Sequence, residues 1–139
     1  MTTHEKYVEP EEARDMARVI GVGGVFFKSE DPDKLYAWYT EHLGIKKNDG
    51  PGVLFMTSDQ PEAAYVVWGA FKSDTQYFEP ASKKYMFNLI VDDLNGALQQ
   101  VQAGGAELIG EVETYDNGRF GWFMDPEANK VELWEPELS

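Results

Sequence analysis

The chain uses one pattern twice: an apolar strand, an acidic turn, an amphipathic helix and a stop at glycine. The first copy spans residues 25–45 and turns at Asp31-Pro32-Asp33, and the second spans 87–105 and turns at Asp92-Asp93. Each copy is followed by more strand-like sequence. A duplicated βα unit of this kind predicts a chain built from two similar halves, each of which forms its own half-sheet, and not one continuous core. We expect function at a site between two such halves.

Composition sets the outer limits. A chain of 139 residues with 42% hydrophobic content is long enough to bury a core, and one domain is expected. No apolar run approaches the roughly 20 residues that a membrane span needs, and the first residues lack the apolar segment of a signal peptide. We therefore expect a cytoplasmic protein with no membrane partner.

Charge and cysteine content exclude further classes. The chain has no cysteine, so disulfides, thiolate nucleophiles and thiolate metal sites are excluded together. The 25 acidic residues outnumber the 12 basic ones, which gives a formal net charge of −13. Such a chain would repel a phosphate backbone, and nucleic acid is not expected as a partner.

The chain divides at its glycines and prolines. We predict an N-terminal extension with a possible short helix over about 1–18 and a single domain over 19–137. Within that domain, module one runs from about 19 to 71, a connector from 72 to 83, and module two from about 84 to 137. The aromatic residues at 77–78 predict that the connector packs against the rest of the molecule.

The predicted elements follow from hydrophobic periodicity and from capping residues. A helix is predicted from an Asp31 cap with Pro32 in its first turn to near Gly44, and a second helix from Leu94 to near Gly104. Predicted strands lie at 19–28, 52–57, 64–70, 87–91, 106–113, 118–124 and 130–135.

Two motifs carry a resemblance to a known family. The segment from Phe123 to Leu133, which contains Asp125-Pro126-Glu127-Ala128-Asn129, closely resembles the DPxGN ending of the vicinal oxygen chelate (VOC) superfamily. This superfamily includes glyoxalases, bleomycin-resistance proteins and extradiol dioxygenases. The segment 35–44 is similar to its first-helix motif. Ala128 stands where the family has glycine, so a left-handed residue there is strained or the turn differs.

The resemblance covers residues from about 18 to 137 and implies a fold and an assembly. It implies an α+β fold in which two βαβββ modules form an open, curled mixed sheet around a cavity, in a homodimer. The chemistry of the family usually depends on a divalent metal held by His and Glu side chains. The resemblance places the corresponding positions at Gly24, Val67, Met86 and Glu132.

Only one of those positions carries a metal-binding side chain. A divalent ion held by protein side chains needs about three ligands, and among the four positions only Glu132 supplies one. Neither histidine replaces the missing ligands, because His4 lies in the N-terminal tail and His42 belongs to the end of the first helix, where its ring suits the helix dipole. We predict neither a metal nor another cofactor.

Strand alternation predicts a pocket, because side chains two residues apart share a face. Lys130, Glu132 and Trp134 then face the cavity, while Val131 and Leu133 face the helices. The predicted ligand-binding residues are Phe26, Met86, Asn88, Phe120, Trp122, Glu132 and Trp134. The same aromatic stripe is also compatible with a plain core.

The two polar residues of this pocket leave alternatives open. The buried amide of Asn88 either bonds a chain atom such as Glu132 or orients a ligand. Glu132 is either a structural group paired with Arg119 or Lys28, or a general base with a raised pKa. Alternation places Arg119 off the pocket face.

Three functions follow from these expectations. The first is a binding module for a small, largely apolar or aromatic molecule, like the bleomycin-resistance branch of the family. The second is a glyoxalase- or lyase-type enzyme in which Glu132 is a base or a residual metal ligand. The third is an interaction domain whose barrel is filled by its own side chains.

Overall fold

In the part of the chain that the structure describes, two α-helices and one sheet form the regular structure. The computed structural model describes residues 17–18, 20, 22–50, 52–62 and 64–137. The elements are α1 (Pro32–Leu43), a short 3-10 helix (Thr57–Asp59), β1 (Phe87–Ile90), α2 (Leu94–Ala103), β2 (Glu107–Tyr115), β3 (Gly118–Met124) and β4 (Lys130–Pro136). The extension predicted over 1–18 lies outside the described residues except for 17 and 18. Within the described ranges, neither helix has the length and apolar character needed to cross a bilayer.

Helix α1 begins and ends where the sequence predicts. The Asp31 carboxylate accepts a hydrogen bond from the Lys34 N–H at 3.2 Å, and Pro32 lies in the first turn, where a missing N–H breaks no helical bond. Gly44 ends the helix with a φ of 68°, a left-handed conformation that glycine adopts without a steric penalty. The predicted cap and stop are confirmed.

Helix α2 lays its apolar face on the sheet. Its cap is Asp93, which accepts from the Gly96 N–H at 3.0 Å. Gly121 of β3 allows close packing, because a Cβ atom there would lie 2.8 Å from a methyl carbon of Leu98. Burial of each large apolar side chain in this layer stabilises the fold by about 1.5–3 kcal/mol. The core between helix and sheet consists of Leu94, Ala97, Leu98, Val101, Phe123, Val131 and Leu133.

The second half of the chain forms one complete βαβββ module. Its sheet has four strands in the order β1-β4-β3-β2. β1 runs parallel to β4, and the other neighbours are antiparallel. A register shift between Ile109 and Glu113 interrupts the β2–β3 pairing. The four strands predicted for this half are confirmed, with ends that differ by a few residues.

The first half does not form the other module that the sequence predicts. Residues 22–28, 52–56 and 64–70 belong to no helix, and none of these described segments pairs as a strand. Alternating apolar residues indicate only a preference for a pleated, half-buried surface, and a strand needs a neighbour to satisfy its backbone. The first half supplies no such neighbour, and Phe26 and Trp68 are 97% and 90% exposed. The single chain is therefore α+β with one four-stranded mixed sheet, not two modules.

Side chains of α1 attach that helix to the second half. The Trp38 indole N–H donates to the Gly104 carbonyl at 3.0 Å, and the Tyr39 hydroxyl donates to Asp125 at 2.9 Å. The His42 ring lies 5.1 Å from the Trp38 ring and fills the space beside Gly104, where a Cβ atom would lie 2.8 Å from it. His42 therefore packs between the two helices.

The turn between β3 and β4 is organised by the Asp125 carboxylate. One oxygen accepts from the backbone N–H groups of Glu127 and Asn129, both at 2.9 Å. The other accepts from the Asn129 side chain and from Tyr39, also at 2.9 Å. Burial, with the nearby Asp125 charge and hydrogen bond, raises the pKa of Tyr39 well above its usual range. Ala128 has a φ of 63°, so of the two alternatives for this turn the left-handed residue is the one found.

Glu127 connects this turn to the start of α1. Its carboxylate accepts from the Ser29 hydroxyl at 2.7 Å and from the backbone N–H groups of Glu30 and Asp31 at 3.0 and 3.2 Å. These bonds, foremost that of Ser29, lower the pKa of Glu127. The turn thus holds the N-terminus of α1 against the end of the sheet.

Replacing Ala128 with glycine should stabilise the protein. A left-handed conformation costs a residue with a Cβ atom about 1–2 kcal/mol, and the gain is reduced by the greater freedom of glycine in the unfolded chain. We expect Ala128→Gly to raise the free energy of unfolding in urea by about 0.5–1 kcal/mol. Ala37→Gly, at an exposed position inside α1, should lower it by about 0.5–1 kcal/mol. Equal losses in both variants would contradict a strained turn.

Candidate functional site

The sheet face opposite α2 carries aligned rows of side chains. Asn88, Glu132 and Trp122 are register partners across β1, β4 and β3. Partners in register project to the same side of a sheet, so these three side chains meet. The adjacent row consists of Ile90, Trp134 and Phe120.

Glu132 lies at the centre of the first row. It is 8% exposed, and one of its oxygens accepts from the Asn88 amide at 2.7 Å. The other oxygen accepts from the Trp122 indole N–H at 2.9 Å and from the Tyr77 hydroxyl. Neutral donors alone therefore satisfy this carboxylate among the described residues. Of the two alternatives for Asn88, the bond to Glu132 is the one found.

Tyr77 comes from the connector and was absent from the predicted pocket. Its ring meets the Trp122 ring edge-on at 6.3 Å and stacks on Phe71 at 5.7 Å with an 8° angle between the planes. Burial raises the pKa of Tyr77, and the hydrogen bond to Glu132 raises it further. The packing predicted for the connector is confirmed. The Tyr77-Phe78 pair was the sequence signal, although it did not reveal which residue Tyr77 contacts.

A buried lysine borders the same group. Lys130 is 7% exposed, and its ammonium group donates to the Tyr77 carbonyl at 2.6 Å. It lies 5.2 Å from the centre of the Tyr77 ring and 5.9 Å from that of Trp122. Burial lowers the pKa of Lys130, and nearby carboxylates, foremost Glu132, oppose that shift. Rings and carboxylate together hold a cation at this end of the site.

The second row is aromatic and partly covered. Phe120 and Trp134 stack with parallel planes at 6.1 Å, and the Trp134 indole N–H donates to the Asn117 carbonyl at 2.8 Å. The ring of Tyr65, from the unpaired segment 64–70 of the first half, lies 5.1 Å from the Trp134 ring. Sequence reasoning did not include Tyr65, because strand alternation identifies partners within a sheet and gives no information about a segment that crosses it.

The remaining predicted residues are less central. Met86 directly precedes β1 and shares the face of Asn88 by alternation. Phe26 is 97% exposed, and the structure does not bring it to this site. Arg119 donates to Asn95 of α2 at 3.1 Å, away from Glu132. The site around Glu132 is therefore built from the second module and the connector.

The geometry around Glu132 does not fit the divalent metal that the family resemblance implies. In the described ranges, no group of three His, Asp or Glu side chains is placed to hold an ion. The N–H groups of Trp122 and Asn88 point at the carboxylate, and neither can act as a ligand. The Lys130 ammonium next to them adds positive charge where a cation would bind. Glu132 acts here as a hydrogen-bond acceptor.

A cavity of about 230 Å³ opens elsewhere, on the helix side of the sheet. Its walls are Trp38, Gly104, Gly105, Ala106, Met124, Asp125 and Pro126. The only charged side chain in this wall is Asp125, whose oxygens bond the turn and Tyr39. The two side chains of this wall that carry polar groups, Trp38 and Asp125, are thus both hydrogen-bonded within the protein, unlike the cluster of polar and aromatic side chains at Glu132.

Comparison with known proteins places this geometry in a family. A family model described as a glyoxalase-like domain matches residues 24–134. The chain belongs to this family. The glyoxalase-like match spans both helices and reaches Trp134, so it includes both rows of side chains on the Glu132 face. It confirms the resemblance that the two sequence motifs indicate. No curated protein matches the chain.

Several solved structures are similar to the chain. A protein of unknown function from Agrobacterium tumefaciens str. C58 is 22% identical, with 84% of this chain and 98% of that chain covered and a TM-score of 0.51. TnmS3, an antibiotic binding protein from Streptomyces sp. CB03234, is 24% identical, with 78% and 88% covered and a TM-score of 0.48. A glyoxalase/bleomycin resistance protein/dioxygenase from Nocardioides is 16% identical, with 89% of each chain covered and a TM-score of 0.49. At these identities the likeness concerns the fold alone.

Removal of the Glu132 carboxylate should destabilise the protein. Glu132→Ala leaves the buried Trp122 N–H without its acceptor, and an unsatisfied buried donor costs about 1–3 kcal/mol. Glu132→Gln should cost less, because it retains one oxygen for the indole. Both are measured as the free energy of unfolding in urea, with Glu62→Ala, at an exposed loop position, as the control within about 0.5 kcal/mol of the parent. An Ala variant as stable as this control would mean that the hydrogen bonds around Glu132 contribute nothing.

Proposed function

We propose that this glyoxalase-like protein binds a small, largely apolar or aromatic molecule on the Glu132 face of its sheet, without a catalytic metal. The observation that carries the proposal is a buried carboxylate set among aromatic rings and held by neutral donors. Binding sites for small molecules combine apolar walls with a few fixed polar groups. Glu132 and Asn88 provide the polar groups here.

The aromatic walls support an aromatic ligand. Trp122, Trp134 and Phe120 lie on two adjacent rows of one face, and flat rings favour stacked or edge-on neighbours. Tyr77 and Tyr65 already occupy such positions above them. A planar ligand would replace contacts of the same kind.

The catalytic alternative has less support. A general base must present a free lone pair to its substrate. Hydrogen bonds from Asn88, Trp122 and Tyr77 already occupy three of the about four lone pairs of the Glu132 carboxylate. Stoichiometric metal in protein purified without an affinity tag would favour a glyoxalase- or lyase-type enzyme and would overturn the metal-free proposal.

We further propose that the two-module sheet forms in a homodimer. The unpaired segments of the first half expose apolar side chains, among them Val25 at 66%, Val67 at 75% and Trp68 at 90%. Exposed apolar patches of more than a few hundred Å² are uncommon on monomers. A second copy supplies the strand neighbours that these segments lack, and a twofold arrangement buries both sets at once.

Ligand binding should quench the tryptophans of this face. The parent for the experiment is Trp68→Phe, because Trp68 is 90% exposed and would be quenched nonspecifically. We expect planar aromatic compounds to quench its fluorescence saturably, since each well-placed ring contributes about 0.5–1.5 kcal/mol. Adding Trp122→Phe or Trp134→Phe should remove part of the saturable signal.

The matched control is Trp38→Phe, which removes a tryptophan from the opposite side of the sheet, where its N–H bonds Gly104. This substitution should leave the saturable quenching unchanged. If no compound in a broad screen quenches saturably, or if only the Trp38 substitution abolishes the signal, the proposed binding face is wrong. Absence of saturable quenching by every compound would favour the third function, an interaction domain whose barrel is filled by its own side chains.

Light scattering at micromolar concentration tests the dimer. We expect a mass of about twice 15.7 kDa. A lysine in place of Val67 should shift the mass toward that of one chain, because a charge would be buried where strands pair. Ala103→Lys, on the exposed end of α2, should leave the mass unchanged. A wild-type protein that scatters as a single chain would exclude the dimer.

A further inference from the structure

The side chain of Tyr77 is held in the way that a bound ligand is held. Its hydroxyl donates to the buried Glu132 carboxylate, its ring edge meets Trp122, and its face stacks on Phe71. The Lys130 ammonium lies 5.2 Å from the centre of the same ring. One polar anchor, two aromatic walls and a cation thus surround a single phenol group.

The segment that carries this phenol belongs to no helix or strand. Residues 72–84 contain only turns, closed by short-range backbone bonds such as Glu79 N–H to Gln76 carbonyl at 3.1 Å. The Tyr77 side chain remains 41% exposed although its hydroxyl reaches the buried carboxylate. Among residues 72–84 only Ala81 is buried, and a segment without strand pairing opens at a lower free energy than the strands below it. Tyr77 can therefore leave the site while the sheet stays intact.

Any replacement for Tyr77 must supply the same donor. Without the Tyr77 hydroxyl, the buried oxygen of Glu132 keeps only the Trp122 N–H, and a buried carboxylate that loses a donor is destabilised. An apolar ring fills the space but leaves this oxygen underbonded. A phenol fills the space and restores the bond.

The charge next to the site argues against a cationic ligand. The protein carries a formal net charge of −13, which would draw cations to its surface. Locally, however, Lys130 lies over the ring position at 5.2 Å and would repel an ammonium group placed there. The same ammonium favours an electron-rich ring.

We propose that the ligand of this face is a neutral phenol that displaces the Tyr77 side chain and donates its hydroxyl to Glu132. The inference rests on the proposed binding function and specifies its ligand class. Tyr77 then competes with the ligand for the site, and a phenol binds only when its affinity and concentration are sufficient to displace the Tyr77 side chain. The wild-type protein accordingly binds a phenol more weakly than a protein in which the Tyr77 side chain does not occupy the site.

The test uses p-cresol, which reproduces the tyrosine side chain, and compares it with toluene and benzylamine. In Tyr77→Ala we expect p-cresol to raise the melting temperature in a concentration-dependent manner and to bind at least about tenfold more tightly than to wild type. Toluene lacks the donor and benzylamine carries a cation, so both should bind at least about tenfold more weakly than p-cresol. Adding Glu132→Gln to Tyr77→Ala should reduce the preference for p-cresol over toluene.

Two further variants keep the test decisive. Tyr77→Phe removes only the hydroxyl, so it should bind p-cresol more tightly than wild type even if the Ala variant does not fold. Tyr115→Ala is the matched control, because Tyr115 also donates to a glutamate, Glu113, but is 58% exposed. It should gain no affinity for p-cresol.

The outcomes separate the two proposals. Equal affinity for toluene or benzylamine would overturn the phenol class while leaving an aromatic binding site. Equal p-cresol affinity in wild type and in both Tyr77 variants would overturn displacement. If none of the three compounds binds any of the variants, both the phenol inference and the proposed binding function fail.

Discussion

The hydrogen bonds of the Asp125 carboxylate support the rest of the structure. This buried group accepts two backbone N–H groups of its own turn, the Asn129 side chain and the Tyr39 hydroxyl of α1. The turn fixes how β4 returns along β3, and that register places Glu132 opposite Trp122. A one-residue slip would move every side chain of β4 to the other face of the sheet. The geometry of the candidate site thus depends on a carboxylate that takes no part in it.

Burial of Glu132 explains the composition of its surroundings. A carboxylate removed from water is costly unless hydrogen bonds replace its hydration. The sheet supplies Asn88 and Trp122 from the neighbouring strands, and the connector supplies Tyr77. The one ligand-type residue at the family's metal positions has therefore become the acceptor of a hydrogen-bond network among aromatic rings.

The two halves of the chain differ in how their apolar surface is covered. In the second half, α2 lies on one face of the sheet, and its apolar residues are buried. In the first half, α1 is attached through Tyr39 and Trp38, while the unpaired segments expose many of their apolar side chains. Tyr65 and Tyr77 are the contacts by which these segments and the connector reach the Glu132 face. Residues from the first half and from the connector therefore cover part of that face.

Local sequence determined both helices, the strands of the second half and the faces that their residues share. Caps such as Asp31 and Gly44 act within one turn, and alternation along β4 needs no distant partner, so both can be read from the chain. The left-handed residue at Ala128 and the bond of Asn88 to Glu132 were each one of two alternatives that the sequence left open, and the structure decided between them. Tertiary structure alone decided that Tyr77 donates to Glu132 and that Tyr65 lies beside Trp134, because these contacts join segments separated by long stretches of chain. It also decided that the apolar segments of the first half remain unpaired. Periodicity encodes a preference for a sheet, but only a neighbouring strand satisfies the backbone and makes one.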